Sequence, residues 1–255
     1  MGALHQGHIA LIEALHGHCD VVVCSIFVNP TQFNNKVDLE QYPRTLEADL
    51  DMLENAHCDV VFTPGTEEMY PEQEEVWHLD LGELDDILEG AHRPGHFQGV
   101  TQIVKKLFDI VQPDIACFGQ KDYQQVMVVQ RMIDIYQIPV KLLLVPTIRE
   151  SSGLAMSSRN RRLSRQGKAT ASHIYKILSY VAERFERHGA LKAVEEGLQR
   201  LSEIPEFETE YLEIRKQGTL ESLEHWNPGL PYVILTAVWI EGVRLIDNLL
   251  LPSGN

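Results

Sequence analysis

Two histidines, His5 and His8, stand close together at the start of the chain, in the segment MGALHQGH at residues 1–8. An amphipathic segment follows at residues 9–18, which predicts a loop that enters the N-terminus of a helix. Exposed amide N–H groups and the positive end of the helix dipole favour anions there. Imidazoles beside such a site could stabilise charge that develops when a phosphoryl group is transferred. Because His-x-x-His also arises by chance, an ordinary turn is the alternative for this motif taken alone.

A second polar cluster follows the apolar run at residues 20–28, which predicts a parallel strand that is buried on both faces and stopped by Pro30. Asn29 and Gln32 then fall at the carboxyl end of this strand, where open α/β sheets bind ligands. Each side-chain amide can donate and accept hydrogen bonds, so the two residues suit a hydroxyl or a carboxylate. The alternative is a turn in which these side chains cap backbone groups.

Arg93 lies in a third cluster, HRPGHFQGV at residues 92–100, where a proline and two glycines predict a shaped loop before a helix at residues 100–111. An arginine with two histidines in such a loop could hold an anion.

A fourth cluster follows the strand predicted at residues 115–118 and contains Gly119, Lys121 and Asp122. Lys121 could meet a phosphate as a point charge, and Asp122 could accept a hydrogen bond from a ribose hydroxyl. The alternative is a solvated start of a helix, in which Asp122 only complements the helix dipole.

The elements that must position these clusters alternate between strand and helix as far as Pro146, with further strands predicted at residues 59–63 and 140–145. This alternation predicts a parallel sheet with right-handed crossovers. Because each polar cluster at the sheet follows a strand, the topology gathers them along one edge. Their convergence is a stronger indication of a site than any single motif.

The alternation of strands and helices ends near residue 147, and residues 148–155 are predicted to be a linker. Residues 156–162, MSSRNRR, then combine hydroxyls with three arginines, which in so acidic a chain suggests a polyanion such as a nucleoside triphosphate. The alternative is a loop before a helix that Ser164 caps. The elements that follow predict a smaller α+β domain, with helices at residues 164–188 and 190–201, strands at residues 208–215, 232–240 and 243–251, and a hairpin turn at residues 241–242. We therefore expect two domains, at residues 1–147 and 148–255.

The composition narrows the function classes. A formal net charge of −15 over 255 residues argues against a nucleic-acid surface, which needs clustered lysine and arginine. No apolar run is long enough to predict a membrane span. The four cysteines form no CxxC pair, and Cys24 and Cys117 lie in apolar runs, so we expect buried free thiols in a reducing cytoplasm.

Seven segments occur in order along essentially the whole chain: MGALHQGH, SIFVNPTQF, YPRTLEADL, HRPGHFQGV, FGQKDYQQ, GLAMSSRN and RLIDN. Together they resemble the pantothenate synthetase (pantoate–beta-alanine ligase) family. The resemblance implies a Rossmann-like domain of the nucleotidyltransferase (HUP) type, followed by a smaller C-terminal α+β lid domain. It also implies that MGALHQGH corresponds to a HIGH-type signature and that MSSRN takes the place of a KMSKS-like loop.

The resemblance implies a two-step ligation. The carboxylate of pantoate attacks the α-phosphorus of ATP, which gives pantoyl adenylate and pyrophosphate, and the amine of β-alanine then displaces AMP. His5, His8 and Lys121 are the implied catalytic residues at the α-phosphoryl group. ATP-binding residues are implied at Met1, Gly7, Gly119, Lys121, Asp122, Ser157, Ser158 and Arg159. Substrate-binding residues are implied at Gln32 and Gln125 for pantoate, with Asn29 and Arg93 nearby and Arg93 toward β-alanine. Mg²⁺ should bridge the phosphates with few protein ligands, of which Asp49 is the candidate, and the family is usually a cytoplasmic homodimer.

The chain departs from the family pattern at its start, because family members carry residues before this methionine that include a β-strand and a Pro-Thr pair. On the resemblance, the sheet should therefore lack a member beside the strand at Val21. Gln120 and Arg162 also stand where the family often has glutamate and an aromatic residue. The competing interpretations are a related nucleotidyltransferase that keeps a nucleotide in its product, and a binding protein of the same fold whose catalysis is impaired.

Overall fold

The computed structural model describes residues 1–72, 76–223, 227, 229–251 and 253. The chain divides into two compact units, Met1–Pro146 and Thr147–Asn255, one residue before the boundary predicted above. The first is a Rossmann-like unit with parallel strands, and the second is a small α+β unit.

The first unit alternates helices with short strands. In chain order they are α1 Gln6–Leu15, β1 Val23–Ser25, α2 Lys36–Glu40, α3 Leu46–Asn55, β2 Val60–Phe62, α4 Thr66–Met69, α5 Glu89–His92, α6 His96–Val111, β3 Ile115–Gly119, α7 Tyr123–Tyr136 and β4 Lys141–Val145. Strand β1 pairs in parallel with β2, and β3 pairs in parallel with β4. Among the described residues these are two separate two-stranded sheets rather than one continuous sheet.

Packing connects the two strand pairs of this unit. Leu4, Ile12 and Cys24 belong to one buried apolar cluster, and Cys117 of β3 and Leu143 of β4 pack against it. Helix α1 therefore lies in a core to which both sheets contribute. This arrangement fixes the N-terminal end of α1, where the histidine motif lies.

Strand β1 is shorter than the apolar run at residues 20–28, because the chain leaves β2 for another partner after Ile26. After Ser25 the N–H of Ile26 donates to the carbonyl of Phe62 at 2.8 Å, and that of Phe27 donates to the carbonyl of Met1 at 2.9 Å. The terminal ammonium of Met1 in turn donates to the carbonyl of Ser25 at 2.9 Å. The end of β1 is thus hydrogen-bonded directly to the first residue of the motif MGALHQGH.

The second unit places three helices before an antiparallel sheet. The helices are α8 Arg165–Ala171, α9 His173–His188 and α10 Ala190–Ser202. The strands are β5 Glu208–Lys216, β6 Tyr232–Ile240 and β7 Val243–Leu251, which lie in the order β5-β6-β7. The predicted turn at Glu241-Gly242 is confirmed: both residues have positive φ, 51° and 71°, as a two-residue hairpin turn requires. The predicted cap is confirmed too, because Ser164 Oγ accepts from the N–H of Gly167 at 2.9 Å.

Two expectations for the second unit were wrong. The helix predicted at residues 164–188 is two helices, which meet at Ser172. The segment predicted as a linker is a tight hairpin, in which Glu150 N–H donates to Leu154 O at 2.8 Å and Met156 N–H donates to Ile148 O at 2.9 Å.

The four cysteines are free, and burial decides their chemistry. Desolvation raises the pKa of the Cys24 thiol to about 12 and that of Cys117 to about 11. Both thiols are therefore protonated at neutral pH, as expected for packing residues. Among the described helices, none combines the length and the apolar character that a membrane crossing requires.

Candidate active site

The first helix starts at the histidine motif, and the two imidazoles act as its cap. His5 is the N-cap residue in an extended conformation, and its Nδ1 accepts from the N–H of Gly7 at 3.1 Å. The N–H of His5 donates to Nδ1 of His8 at 3.3 Å, so the two side chains satisfy backbone donors reciprocally, as in a capping box. The ring centroids lie 4.0 Å apart.

These contacts fix the tautomers of both rings. A ring nitrogen that accepts a hydrogen bond carries no proton, so each neutral imidazole has its proton on Nε2. His5 and His8 therefore each present an Nε2–H donor from the first turn of α1. Two such donors beside a helix N-terminus are suited to stabilise negative charge on a phosphoryl group.

Asp49 of α3 fixes the turn that leads into this motif. Its side chain is 1% exposed, and its two carboxylate oxygens accept from the N–H groups of Ala3 at 2.8 Å and Leu4 at 2.7 Å. The hydroxyl of Thr45 adds a third bond at 3.0 Å. Ala3 has a φ of +50°, a conformation that a residue with a Cβ adopts only when its surroundings impose it.

Asp49 is also the residue that the sequence analysis names as the candidate Mg²⁺ ligand. Its two oxygens already accept three hydrogen bonds from protein donors, which occupies most of the acceptor positions of a carboxylate. In the part of the chain that the structure describes, no group of three or more His, Cys, Asp or Glu is placed to hold a metal ion. The hydrogen bonds show that Asp49 holds the motif, and its assignment to Mg²⁺ stays a prediction.

Asn29 braces the segment that carries Gln32. It is 3% exposed, its Nδ2 donates to the carbonyl of Gly99 at 3.0 Å, and its Oδ1 accepts from the hydroxyl of Tyr70 at 2.6 Å. Asn29 Nδ2 also lies 3.5 Å from Gln32 Oε1. The side chain of Asn29 is thus committed to the protein, whereas Gln32 remains half-buried next to it.

Arg93 and His96 hold the backbone of Gln32. Nδ1 of His96 lies 2.8 Å from the Gln32 carbonyl oxygen, which only accepts, so His96 carries its proton on Nδ1. Its Nε2 can then accept from Arg93 Nη1 at 3.1 Å, and Arg93 Nη2 reaches the same carbonyl at 3.4 Å. The buried carboxylate of Glu89 pairs with Arg93 at 3.4 Å. In the sequence, the histidines of this loop, His96 among them, are only possible anion ligands, and Glu89 has no assigned role.

The end of β3 presents Lys121 and Asp122 from a 3-10 turn before α7. The ammonium of Lys121 lies 3.9 Å from Asp122 Oδ1, with the lysine side chain 18% exposed and the aspartate 48% exposed. Asp122 is the N-cap residue of α7 but makes no capping hydrogen bond with its side chain. The side chain therefore does not cap the helix by a hydrogen bond, and the alternative that Asp122 complements the helix dipole stays open.

Two neighbouring glutamines at the start of α7 have different surroundings. Gln124 is buried: its Oε1 accepts from Glu89 N–H, and its Nε2 donates to the carbonyls of Leu84 and Ile87, each at 2.9 Å. It thereby shapes the loop that ends at Glu89. Gln125 is only half-buried, and its assignment to substrate stays a prediction.

In the second unit, Ser157 begins a 3-10 helix that spans Ser158–Arg162. Its Oγ accepts from the N–H of Arg159 at 3.3 Å, and Ser158 is buried. Successive backbone N–H groups and an arginine in such a turn are typical of phosphate sites.

The structure thus brings most of the predicted residues of the first unit together in two hydrogen-bonded groups and one ion pair, and, within the described residues, it does not connect Gln125 to them. They are His5 with Gly7 and His8; Asn29 with Gln32 and Arg93; and Lys121 with Asp122 beside Gly119. Met1 connects the first two groups through its bond to Phe27. Ser157, Ser158 and Arg159 form the group of the second unit.

A family model described as pantoate-beta-alanine ligase matches residues 1–250. The chain belongs to this family. Pantothenate synthetase of Cytophaga hutchinsonii is 47% identical over 253 residues, covering 98% of this chain and 89% of the relative. The protein of the same name from Porphyromonas gingivalis is 45% identical over 249 residues, covering 98% and 88%.

Solved structures agree with this family. The crystal structure of pantothenate synthetase from Thermus thermophilus has a TM-score of 0.92 at 44% identity and covers 98% of this chain and 90% of that one. The pantoate-beta-alanine ligase of Francisella tularensis, crystallised with beta-gamma ATP and beta-alanine, has a TM-score of 0.82 at 36% identity and covers 100% and 88%. The Rossmann-like fold and the ligase class follow from these matches.

Gly99 of α6 offers a test of the Gln32 segment. A methyl group on Gly99 would lie 2.5 Å from the Thr31 carbonyl oxygen and 2.7 Å from the Gln32 nitrogen, so Gly99→Ala must displace this backbone. We expect the KM for pantoate to rise by roughly 10-fold or more, as for a misplaced binding group, while the KM for ATP changes little. Initial-rate kinetics with each substrate varied in turn would measure this.

Gly197→Ala is the matched control for the steric effect. Its new methyl group would lie 2.5 Å from both Leu212 and Val181, in the core of the second unit. We expect a lower melting temperature and an unchanged KM for pantoate. An equal rise in the pantoate KM in both variants would show that general destabilisation, and not the Gln32 segment, is responsible.

Proposed function

We propose that this chain condenses pantoate with β-alanine in an ATP-dependent reaction that passes through pantoyl adenylate. The observation that carries the proposal is the family match over residues 1–250, which includes a histidine pair fixed at the start of α1. The Francisella relative crystallised with a form of ATP and β-alanine supports the same pair of ligands here.

In the first step, a carboxylate oxygen of pantoate attacks the α-phosphorus of ATP. The bond between the α-phosphorus and the bridging oxygen breaks, pyrophosphate leaves, and a mixed anhydride forms. In the second step, the amine of β-alanine attacks the acyl carbon of this anhydride, loses a proton, and displaces AMP. No side chain needs to act as a covalent nucleophile, so the task of the protein is positioning and charge stabilisation.

His5, His8 and Lys121 are our candidates for stabilising the charge on the α-phosphoryl oxygens. The fixed tautomers support this role, because each imidazole presents a donor without having to be charged. Lys121 would add a full positive charge. Met1, Gly7, Gly119 and Asp122 would bind the nucleoside part, and Ser157, Ser158 and Arg159 the β- and γ-phosphates.

Gln32 and Gln125 are our candidates for binding the hydroxyl and carboxylate groups of pantoate. The supporting observation is that Arg93 and His96 bind the backbone carbonyl of Gln32. The backbone is therefore fixed, and the side chain of Gln32 extends from a fixed position. Arg93 would face β-alanine. Asn29 would contribute mainly by bracing this segment, since its polar atoms are already bonded.

Mg²⁺ is expected to accompany the nucleotide through its phosphates, with few protein ligands. Asp49 is the candidate protein ligand, and no step of the proposal depends on it. We further propose a homodimer, as is usual in the family, and the cytoplasm as its location, to which four free cysteines are suited.

Exchange of labelled pyrophosphate into ATP tests the proposed function, because it reports reversible adenylation alone. We expect exchange that requires pantoate, and release of AMP with formation of pantothenate once β-alanine is added. β-Alanine without pantoate, and lactate as a smaller hydroxy acid, are the controls and should give no exchange. The proposal fails if pantoate supports no exchange while another acceptor does.

A further inference from the structure

The segment that leads into Ser157 is anchored to β7 by one arginine. Both nitrogens of the Arg149 fork bind Asp247, with Nη1–Oδ2 at 2.6 Å and Nη2–Oδ1 at 3.0 Å. The same nitrogens donate to the carbonyl of Gly153 at 3.2 Å and to that of Asn248 at 3.2 Å. The guanidinium carbon also lies 3.8 Å above the ring of Tyr175.

This anchor is buried and specific. The side chains of Arg149 and Asp247 are 16% and 4% exposed, so water screens their attraction little. A bidentate arginine–carboxylate pair fixes orientation as well as distance. Asp247 and Asn248 are the last two residues of the segment RLIDN, to which sequence reasoning assigned no role.

A second contact ties the Ser157–Arg159 turn back onto this hairpin. Asn160 is 4% exposed, and its Nδ2 donates to Ala155 O at 3.0 Å and to Glu150 Oε1 at 3.3 Å. Both partners only accept, so the amide can be oriented in one way alone. The N–H of Asn160 also donates to the carbonyl of Ser157 at 3.0 Å. Residues on both sides of the turn are therefore fixed to one support.

We propose that Arg149, Asp247 and Asn160 are positioning residues for the adenylation step, because they hold the Ser157–Arg159 turn in the shape that receives the β- and γ-phosphates of ATP. This inference rests on the proposed function. A purely structural role would impair both steps of the reaction equally, whereas a positioning role would not. The second step has no β- or γ-phosphate in it, so loss of the anchor should impair adenylation selectively.

The test measures the two half-reactions separately in the full-length chain. Pyrophosphate exchange reports the first, and conversion of synthetic pantoyl adenylate with β-alanine into pantothenate and AMP reports the second. Arg149→Lys keeps the charge but loses the planar fork, and Asn160→Asp replaces the donor by a carboxylate that faces two acceptors. We expect each to lower exchange by roughly 10- to 100-fold and to raise the KM for ATP, with the second half-reaction within about 3-fold of the parent.

Arg244→Lys is the matched control, since Arg244 pairs with Glu210 at 2.6 Å across the same sheet and is similarly buried, at 12% exposure. It should leave the ratio of the two half-reactions unchanged. The inference is overturned if both half-reactions fall in parallel in Arg149→Lys and Asn160→Asp, if neither falls, or if Arg244→Lys shows the same selective loss. A parent chain that performs neither half-reaction overturns the proposed function itself, and the two failures are therefore distinguishable.

Discussion

Replacement of His8 by alanine should lower the rate of pantoate-dependent adenylation by on the order of 10²-fold or more, the usual cost of losing one transition-state donor. The lost group is the Nε2–H, whose presence follows from the hydrogen bond between His8 Nδ1 and the N–H of His5 at 3.3 Å. The donor acts on charge that develops in the transition state, so kcat should fall more than the KM for ATP rises. Pyrophosphate exchange at saturating pantoate would measure the change.

Two further substitutions separate catalysis by His8 from its role in capping α1. Asparagine places an acceptor near the position of Nδ1, so His8→Asn should preserve the cap and the melting temperature but lack the donor. Glutamine reaches toward the position of Nε2, so His8→Gln should recover part of the rate. If His8→Asn is nearly as active as the parent, the histidine serves the helix and the catalytic assignment is wrong.

Features of the fold that depend on neighbouring residues could be predicted from the sequence. Three features depend on residues within a few positions of one another: the helix that follows the histidine motif, predicted at residues 9–18 and observed at Gln6–Leu15, the cap at Ser164, and the hairpin turn at Glu241-Gly242. Local hydrogen bonds and backbone conformations decide such features, and they leave a signature in residue type and spacing.

Features that depend on distant partners could not be predicted in this way. The sequence makes the Asp49 carboxylate a candidate metal ligand, but it does not show that Ala3 and Leu4, more than 40 positions away, donate to it. Arg149 looks like part of a linker until folding brings Asp247 to it, 98 positions later. Likewise, an apolar run indicates a strand but not where its ladder ends, because the partner strand decides the length of β1.

The candidate site illustrates the same division. Residue types identified the groups that could touch phosphate or carboxylate, since that chemistry needs imidazole, ammonium, guanidinium or amide groups. They did not identify the residues that hold those groups, such as Glu89, His96 and Asn160, because a buried polar side chain has no local pattern of its own. The family resemblance supplied the order of the motifs, and the contacts between them came only from the structure.

Asp49→Asn should be the most damaging substitution outside the residues assigned to the substrates. In Asp49, each carboxylate oxygen accepts from one backbone N–H. An asparagine has only one such oxygen, so its NH₂ group would face the second N–H, and two donors would oppose each other. Loss of a charge-assisted bond at a side chain that is 1% exposed should lower the free energy of unfolding by about 1–3 kcal/mol. Release of the turn at Ala3 should also move His5 and His8, with kcat for adenylation lower by on the order of 10²-fold.

Thr45→Val is the control for Asp49→Asn, because it removes the third hydrogen bond of the carboxylate and keeps both backbone bonds. We expect it to change kcat by no more than about 3-fold, well below the loss that displacement of a catalytic group produces. A Mg²⁺ titration of the adenylation rate then distinguishes the two roles considered for Asp49. If it positions the motif, excess Mg²⁺ will not restore Asp49→Asn at a temperature where the variant is folded; recovery at high Mg²⁺ would instead identify Asp49 as a ligand of the ion. If Asp49→Asn is destabilised but has a normal kcat, Asp49 does not position the histidines. The turn at Ala3 would then not determine where His5 and His8 lie.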